Sequence, residues 1–575
     1  MKYAMLLQRL NEYADRLRLP PPMYGPTAVR WVIHLDTDGR MLQMVETTGG
    51  TTKSTQRGKV MLTPQIGRTV AIRAKLLADN GEYVLGIPRK PEDADKVVLR
   101  HRAFIDLVRE CALATGELTV KAVLQFLEGL PHGLRLPSGF DPADNITFEV
   151  AGIRPIDLPV IQRFWAKRAG AEKENADDDT GRVATCLVCG ELKQVVARLP
   201  FKLKSIPGGQ TSGIALVSAN APAFESYGLE ASHVAPICHQ CAERTHKSIN
   251  ALLADPNTHL VVGPIVYVAW TREPVEQNFL NLLSRPDPAE VRALIASVYT
   301  GRAGSLELDD TQYYAVAFSA SGGRAVVRDW LDTTVGEVRR NLARFFMLQR
   351  IIGPDGNEPA PLGIFALSAA AVRDASRDLP PELPKALIRC ALAGTWIPSW
   401  ILAQAIRRAR VEQRVTRQRA ALIRLSYLSY MRIEKEDELM QLDRTQRDPA
   451  YHCGRLLAVL EEIQHAAVPG AKATLLDRFY GAASASPATV FGTLFRTAQS
   501  HLGKLRKDRP RLYNVFQQRL MEVQESITYF PATLNLGEQA LFTLGYYHQR
   551  AADLAAARAR SQKAEDTETD ESDDE

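Results

Sequence analysis

The sequence predicts an α+β protein of several domains. We expect an N-terminal α+β body with a four-cysteine zinc-binding insertion, followed by a C-terminal α-helical bundle and a disordered acidic tail. Three observations predict this class: strand-like runs bounded by turn residues in the first two thirds, helical periodicity from 398 to 563, and two C-x2-C pairs within 186–241. With 575 residues, the chain exceeds one ordinary core, and about three to four domains are expected.

Changes in pattern along the chain predict the domain boundaries. Residues 170–181 are rich in charge and typical of a solvated linker, which indicates a boundary near 175. The predicted division is an N-terminal α+β domain at 1–175, a zinc-containing α+β region with a glycine-rich loop at 176–275, a mixed α/β region at 276–397, the helical bundle at 398–563 and the acidic tail at 564–575.

Runs of β-branched and aromatic residues predict the strands. Val29–Leu35 and Arg40–Val45 flank turn residues and predict a hairpin. Further strands are predicted at Ile214–Ser218, Leu260–Trp270, Gln312–Phe318 and Arg324–Trp330. The pattern turns helical from Val335, and breaks at 469–470, 486–487 and 531 divide the C-terminal bundle.

Charge is distributed unevenly along the chain. The formal net charge is +5, yet residues 565–575 carry eight carboxylates and no basic side chain. Removing those eight negative charges leaves +13 on the rest of the chain, which favours a polyanionic partner. The tail has nothing to bury and is therefore expected to be disordered.

Hydropathy and cysteine usage predict a cytoplasmic protein without a membrane span. The N-terminal segment places Arg9, Glu12, Asp15 and Arg16 too early for the apolar core of a signal peptide. The longest uncharged runs fall short of the ~18 apolar residues of a spanning helix. Seven cysteines, no secretion signal and two close pairs favour reduced thiols and metal over disulfides.

Two cysteine pairs have the spacing of metal ligands. Cys186 with Cys189, and Cys238 with Cys241, can each present two sulfurs to one tetrahedral ion. Four thiolates leave no open position on zinc, so we expect a closed structural site without a reactive water. Paired thiols without metal and an iron–sulfur cluster are the alternatives.

A glycine-rich segment at 206–213 combines three glycines with Gln, Thr and Ser side chains. Such a bare backbone can approach a nucleic-acid groove or a phosphate closely. A tight turn is the alternative explanation. No Gly-Lys-Ser/Thr follows, so the segment is not a P-loop.

Seven arginines lie between residues 407 and 424. Five of them fall at steps of three, four, three and seven, which predicts one stripe on one helix: Arg407, Arg410, Arg414, Arg417 and Arg424. The stripe is a candidate face for tracking phosphates, and an ordinary solvated face is the alternative.

Motifs of catalytic sites are missing from the sequence. There is no H-E-x-x-H, no G-x-S-x-G, no G-x-G-x-x-G and no His-Asp dipeptide. We therefore expect a protein without enzymatic activity.

Several strings together resemble one family, the large subunit of the type I-C (Dvulg subtype) CRISPR Cascade surveillance complex. They are AVRWVIHLD at 28–36, KLLADNGEYVLG at 75–86, SIPGGQTSGIALVSANAPAFESYG at 205–228, DRFYGAASASP at 477–487 and GEQALFTLGYYHQR at 537–550. The similarity runs from the N-terminus to about Arg550. Many relatives lack some of the four cysteines, so zinc here rests on the spacing in this chain.

The resemblance implies a non-enzymatic subunit at the crRNA 5′ end. Such a subunit recognises the protospacer-adjacent motif in double-stranded DNA, promotes opening of the duplex and R-loop formation, and guides the displaced non-target strand. The implied partners are the Cascade backbone subunits, the crRNA-processing subunit and the helicase-nuclease of this antiviral defence. A small subunit made by internal translation is also implied, with Met431 or Met440 as candidate starts.

The resemblance and side-chain chemistry together suggest the residues that contact DNA. We predict motif recognition by Lys75, Asn80, Tyr83, Gly208, Gly209, Gln210, Thr211 and Ser212. Gln and Asn pair with adenine edges, Lys with guanine, and a glycine backbone can enter the minor groove, whereas structural turns are the alternative. Contacts to the DNA backbone are predicted for Arg57, Lys59, Arg68 and the five arginines of the stripe.

Two other functions share the same composition. A structural scaffold whose basic surfaces bind RNA within the complex would not read the motif at all. A zinc-dependent nuclease would require an open metal position, which four thiolate ligands do not offer.

Overall fold

The computed structural model describes residues 2–17, 20–21, 23–47, 58–66, 72–130, 134, 136–176, 182–199, 201–219, 222–299, 309–433, 435, 437–470 and 473–572, with side chains omitted at 2, 170–176, 299 and 562–572. The chain divides into two compact units. The first unit comprises Met1–Lys202 and Val217–Ser248, and the second comprises Leu203–Leu216 and Ile249–Glu575. The predicted region 176–275 thus contributes to both units.

The first unit contains two sheets, a β-hairpin and, before its segment Val217–Ser248, five described α-helices. In chain order its elements are α1 Lys2–Tyr13, β1 Tyr24–Val29, β2 Trp31–Leu35, β3 Met41–Glu46, β4 Lys59–Pro64, β5 Ala78–Asn80, α2 Gly81–Val84, α3 Ala94–Thr115, α4 Leu118–Glu128, β6 Asn145–Val150, α5 Pro159–Ala176, β7 Val183–Thr185 and β8 Leu192–Gln194. Helix α6, His239–Ala254, begins in this unit and ends in the second.

The main sheet of the first unit has the order β3-β2-β6-β5. The predicted hairpin is confirmed as β2 and β3, which pair antiparallel, while β6 lies parallel to β2. Alternate residues of β2 and β6, such as Ile33 and Phe148, are fully buried with apolar residues of α3 and α4, such as Phe104 and Phe126. Strands β1 and β4 form a separate antiparallel pair.

The second unit consists of a four-stranded sheet and twelve described helices that follow α6. Its elements are β9 His259–Val262, β10 Ile265–Thr271, α7 Phe279–Ser284, α8 Pro288–Tyr299, β11 Gln312–Ser321, β12 Arg324–Thr334, α9 Val335–Leu348, α10 Ile364–Ala369, α11 Glu382–Ala393, α12 Ser399–Glu412, α13 Arg417–Met431, α14 Pro449–Ala467, α15 Leu475–Ala483, α16 Pro487–Asp508, α17 Pro510–Glu525 and α18 Leu536–Ser572.

The sheet of the second unit is antiparallel throughout, in the order β12-β11-β10-β9. The long hairpin of β11 and β12 confirms the two strands predicted there. The single strand predicted at Leu260–Trp270 is instead a hairpin, because Gly263 turns the chain with a φ of +56°. The strand predicted at Ile214–Ser218 forms only isolated bridges at Ile214 and Ala215.

Helices α12–α18 form the predicted C-terminal bundle. The predicted breaks at 469–470 and 531 fall between helices, and the break at 486–487 marks the start of α16. The last helix continues to Ser572, while side chains from 562 and residues 573–575 lie outside the described part of the chain. Disorder of the acidic tail therefore stays a prediction. None of the described helices is long and apolar enough to cross a bilayer.

Two glycines allow α14 and α18 to cross at very short range. A Cβ atom built on Gly454 would lie 1.9 Å from the carbonyl oxygen of Phe542, and one on Gly545 would lie 2.1 Å from that of Tyr451. Both distances are far below van der Waals contact, and both obstructing atoms belong to the backbone. The crossing therefore requires glycine on both helices.

We predict that Gly454→Ala destabilises the protein by about 3 kcal/mol or more, because the added methyl group forces the two helices apart. Gly492→Ala on α16 is the matched control. Its Cβ would meet no atom within 4 Å, so higher helix propensity should leave stability unchanged or raise it by about 0.5–1 kcal/mol. Chemical denaturation of both full-length variants measures the difference, and equal stabilities would contradict the close crossing.

Candidate nucleic-acid interface and metal centre

The four predicted ligands come together in the first unit. Strands β7 and β8 form a hairpin whose turn carries Cys186 and Cys189. Cys238 immediately precedes α6, and Cys241 lies in its first turn, where the Cys238 carbonyl accepts the N–H of Ala242 at 2.9 Å. The hairpin turn and the helix start thus present two sulfurs each.

The cysteine cluster has the geometry of a metal site. All four sulfurs lie within 4.8 Å of one another, and three of the residues are buried while Cys189 is exposed. Four sulfurs bonded to one zinc ion at about 2.3 Å would be roughly 3.8 Å apart. The Cys186 sulfur accepts N–H groups of Val188 at 3.5 Å and Cys238 at 3.4 Å, which orient it and stabilise negative charge.

Hydrogen bonds between the thiols favour the thiolate form at one cysteine, Cys238. Hydrogen bonding with the Cys241 thiol lowers the pKa of Cys238, and the same interaction raises the pKa of Cys241. The thiolate is the form of cysteine that binds metal. The donor set is therefore compatible with a metal ion held by Cys186, Cys189, Cys238 and Cys241.

The helix that begins at the cluster is fixed to the N-terminal segment. Buried Glu243 accepts the backbone N–H of Met23 at 2.9 Å and forms an ion pair with Lys247 at 2.9 Å. The next residue, Arg244, donates to the side chain of Asn11 at 2.9 Å. Cross-linking the hairpin to the start of α6 would hold these contacts in register.

The glycine-rich segment belongs to the second unit, where it forms two successive turns. Leu203 and Ile214 exchange both backbone hydrogen bonds at 2.9 Å and close the loop. Within it the N–H of Gly209 reaches the carbonyl of Ile206 at 3.0 Å, and that of Gly213 reaches Gln210 at 2.9 Å. Gly208 and Gly213 have φ angles of +72° and +91°, which only glycine adopts readily.

The turns leave the polar side chains outside. Gln210, Thr211 and Ser212 are exposed, whereas Ile206 and Ile214 are buried beneath them. The loop joins the tip of the β11–β12 hairpin through Ala215, whose N–H donates to Gly323 at 2.9 Å and whose carbonyl accepts from Ala325 at 2.8 Å. The segment is thus both a tight turn and an accessible polar surface.

Sequence reasoning missed the residues that the hairpin adds to this surface. Ala215 pairs with Arg324 in a parallel bridge, which brings that arginine beside the loop, and exposed Lys204 lies at the loop's base. Arg324 is more than a hundred residues away in sequence, so no local pattern signals its position. Lys204 was detectable as a basic residue next to the glycines.

The N-terminal candidates occupy a structured turn around a buried carboxylate. Asp79 is 1% exposed and accepts the N–H groups of Lys75 at 2.8 Å and Asn80 at 2.9 Å. The Asn80 side chain caps α2 by accepting the N–H of Tyr83 at 3.3 Å. Lys75 and Asn80 remain half-buried.

Tyr83 lies in the hydrophobic core of the first unit and is only 5% exposed. The prediction that Tyr83 contacts a base is therefore wrong, because its side chain is packed in the core and is not accessible to DNA. Beside Asn80 runs an open groove of about 680 Å³ whose charged lining is mixed: Arg89, Lys90 and Arg100 face Glu82, Asp93 and Asp141.

The predicted arginine stripe does not form one helix. Helix α12 ends at Glu412, Gln413 adopts a left-handed conformation with a φ of +50°, and α13 starts at Arg417. Helical spacing predicts one stripe only along an unbroken helix, and here the helix is interrupted at residues 413–416. The five arginines consequently divide between α12, the connection that contains Arg414, and α13.

Arg424 is corrected from a DNA contact to a core residue. It is 0% exposed, and its guanidinium donates to the carbonyls of Met347 at 2.9 Å, Leu348 at 2.8 Å and Glu438 at 2.8 Å. Two of these carbonyls end α9, where a cation is favoured by the helix dipole. Burial lowers the pKa of Arg424 to about 10.

The other arginines differ in their availability. Arg410 donates to the Gly481 carbonyl at 3.2 Å, and Arg417 donates to that of Ala360; both are partly buried. Arg407 and Arg414 are exposed. Only these two keep the accessibility that a phosphate contact requires.

The basic candidates near the N-terminus are only partly described. Lys59 begins β4 with an exposed side chain, and its N–H donates to the Thr47 hydroxyl at 2.9 Å. Arg57 and Arg68 lie outside the described residues.

Comparison with known proteins gives one finding. The model of a family of CRISPR-associated proteins, Cas_Csd1, matches residues 6–553 of the chain. No curated protein matches the chain.

We predict that Arg424→Ala lowers the free energy of unfolding by about 3 kcal/mol or more, since three buried carbonyls lose their donor. Arg407→Ala should change it by less than about 0.5 kcal/mol. If Arg407 contacts a DNA phosphate, the same variant lowers the slope of log affinity against log salt by about 0.9.

Chemical denaturation and salt-dependent DNA binding of the two full-length variants measure these effects. A stable Arg424→Ala variant with weakened DNA binding would restore Arg424 to the DNA interface and contradict its structural role.

Proposed function

We propose that this chain, which belongs to the Csd1 family of CRISPR-associated proteins, reads the motif flanking a DNA target. Csd1 proteins are the large subunits of type I-C Cascade complexes. In this role it recognises the protospacer-adjacent motif in the duplex, promotes opening and R-loop formation, and stabilises the displaced non-target strand. It acts without catalysis, in the prokaryotic cytoplasm, with crRNA-bound partner subunits, and helps recruit the helicase-nuclease.

The observation that carries this proposal is the glycine-rich loop at the tip of the β11–β12 hairpin. Its backbone lacks side chains where it bends, and the exposed amide of Gln210 follows directly. A side-chain amide pairs with an adenine edge, and a glycine backbone can enter a groove that a Cβ would close. Thr211 and Ser212 add two hydroxyl groups.

A fixed loop suits recognition better than a flexible one. Backbone hydrogen bonds at both ends, to Leu203 and to the β11–β12 tip, hold the loop before DNA arrives. Little conformational entropy is then lost on binding, so base contacts retain more of their energy. Lys75 and Asn80 provide a second candidate contact in the first unit, where Asn80 lines the 680 Å³ groove.

Contacts to the DNA backbone are proposed for Arg407, Arg414 and Lys59, the exposed cations among the described candidates. Each would weaken binding to all sequences alike when removed. Arg410 and Arg417 bind carbonyls within the protein and would act mainly by positioning the two helices.

Zinc is the proposed occupant of the cysteine cluster. A tetrahedral ion bound by four thiolates supplies structural cross-linking and no reactive water. In this chain it would join the β7–β8 hairpin to α6, whose Glu243 and Arg244 hold the N-terminal segment.

The architecture of the bundle supports the proposed small subunit. A core cluster is built almost wholly from residues of α14–α18, with Ala409 as its single buried member from an earlier helix among the described residues. Translation from Met431 or Met440 would therefore include nearly all of that core. This product would associate with the same complex.

We expect Gln210→Ala to flatten the preference for flanking sequence. The test is DNA binding by the reconstituted crRNA complex on targets with a randomised flanking trinucleotide, at fixed salt. With the intact subunit a narrow set of flanks is enriched, and loss of a bidentate amide contact should cost about 1–3 kcal/mol of discrimination. Gln518→Ala, an exposed glutamine on α17, is the matched control.

A preference that survives both Gln210→Ala and removal of the subunit would assign motif reading to another subunit. This chain would then be a structural scaffold whose basic surfaces bind RNA within the complex.

We expect one zinc ion per chain by elemental analysis, and loss of that ion in Cys238→Ser. Thermal stability of the full-length variant should fall, because the hairpin and α6 lose their cross-link. Cys390→Ala, a buried cysteine outside the cluster, should keep its zinc. Iron with visible absorption, or four free thiols without metal, would contradict the zinc assignment.

A further inference from the structure

We propose that Trp396 and Trp400, together with Arg344 and Arg407, form a stacking site for unpaired bases of single-stranded DNA. We call these four residues the tryptophan–arginine face. The proposal rests on the proposed function, because strand displacement generates the single-stranded DNA that would occupy the face.

The two tryptophans are unusual in this chain because they are exposed. Trp396 is 37% exposed and Trp400 is 38% exposed, whereas Trp31, Trp165 and Trp270 are each 5% exposed or less and Trp330 is partly buried. A partly exposed indole forgoes part of the burial energy that the three buried tryptophans obtain. Such exposure is typical of a surface that becomes covered by a ligand.

Local sequence forces both indoles outward. Ile397 is 3% exposed and its N–H donates to the Ser429 hydroxyl, which fixes the chain between them, while its neighbour Trp396 stays 37% exposed. Pro398 then caps α12, and Ile401 and Leu402 turn the inner face of its first turn into the core. Trp400 is consequently left on the outer face of the helix.

A cation already lies on one of these rings. The Arg344 guanidinium carbon is 4.4 Å from the centroid of the Trp396 ring, within the range of a cation–π interaction. Among the described residues no carboxylate forms an ion pair with Arg344, and its Nη2 atom is buried without a hydrogen-bond partner. A nucleotide that stacks beside this pair would bring a phosphate to an arginine whose charge is not neutralised by a carboxylate.

A second arginine continues the face along the helix. Arg407 follows Trp400 by seven residues, which places it on the same side of α12 about 10 Å further along the axis. Its side chain is exposed and, among the described contacts, forms no ion pair. One face of α12 therefore carries an aromatic ring and then a positive charge, the combination that binds single strands.

The charge of the surrounding sequence favours a polyanion as the ligand. Residues 383–411 contain no Asp or Glu but include five basic side chains, of which Arg389 is paired with Asp329. The next carboxylate, Glu412, is already paired with Arg408 and Arg419. A duplex hides its base faces within the stack, so exposed indoles select an unpaired strand over a duplex.

The test compares two probes with the same phosphates, an oligothymidine and an abasic oligomer of equal length, bound to the full-length chain at fixed salt. The intact protein should bind oligothymidine more tightly than the abasic oligomer. Trp396→Ala and Trp400→Ala should each weaken oligothymidine binding about 5- to 100-fold while leaving the abasic affinity unchanged. Arg407→Ala should weaken binding of both probes.

Conservative and distant substitutions provide the controls. Trp400→Phe keeps an aromatic ring and should retain most of the affinity for oligothymidine. Tyr529→Ala removes another exposed aromatic ring, 62% exposed between α17 and α18, and should change neither affinity. Photocrosslinking of an oligomer containing 5-iodouracil to the unmodified protein, mapped by mass spectrometry, needs no variant and should label Trp396 or Trp400.

Equal affinity of the intact protein for the two probes would overturn the stacking site, as would crosslinks confined to other regions. Impaired crRNA incorporation in the tryptophan variants with unchanged oligothymidine binding would assign the face to RNA and also overturn it. The flank preference on duplex targets is scored separately. Its loss would refute motif reading, while a negative stacking result with intact preference would refute only this site.

Discussion

Burial of the Arg424 guanidinium against backbone carbonyls determines how the second unit presents its positive charge. A guanidinium has no neutral form at ordinary pH, so a fully buried one requires acceptors for its donors. The carbonyls that end α9 and the carbonyl of Glu438 supply them. This requirement fixes α13 against α9, turns its arginines inward, and leaves Arg407 on α12 and Arg414 in the connection as the exposed members of the group.

Glycines, like the arginines, serve two different purposes in this protein: some are required by packing, and others form an exposed surface. Gly454 and Gly545 are required by the close crossing of α14 and α18, where neither helix has room for a Cβ. Gly208 and Gly213 are required by backbone conformation, in a loop whose polar side chains stay exposed. The first pair serves packing in the bundle, and the second creates a surface without obstructing side chains. Residue type alone does not separate the two uses.

Predictions from the sequence were correct where the signal was local. They were wrong where tertiary contacts determine whether a side chain is buried or exposed. The four-cysteine cluster, the β2–β3 and β11–β12 hairpins and the helical bundle followed from spacing and periodicity. The arginine stripe failed because a left-handed residue at Gln413 ends one helix, and helical spacing cannot reveal which arginines a neighbouring helix will bury. The prediction for Tyr83 was wrong for a similar reason, because a tyrosine can lie in a hydrophobic core as well as contact a base. The pairing of Ala215 with Arg324 has no sequence signature at all.

The central claim is that the loop containing Gln210 lies against the flanking motif of the DNA target. The most direct measurement replaces Gln210 with a photoreactive amino acid, assembles the crRNA complex on a target duplex, and maps the crosslinked nucleotides. The account predicts crosslinks to the base pairs of the flanking motif, and their loss when that motif is mutated. Crosslinks to the crRNA or to a partner subunit alone would contradict it and would make this chain a scaffold.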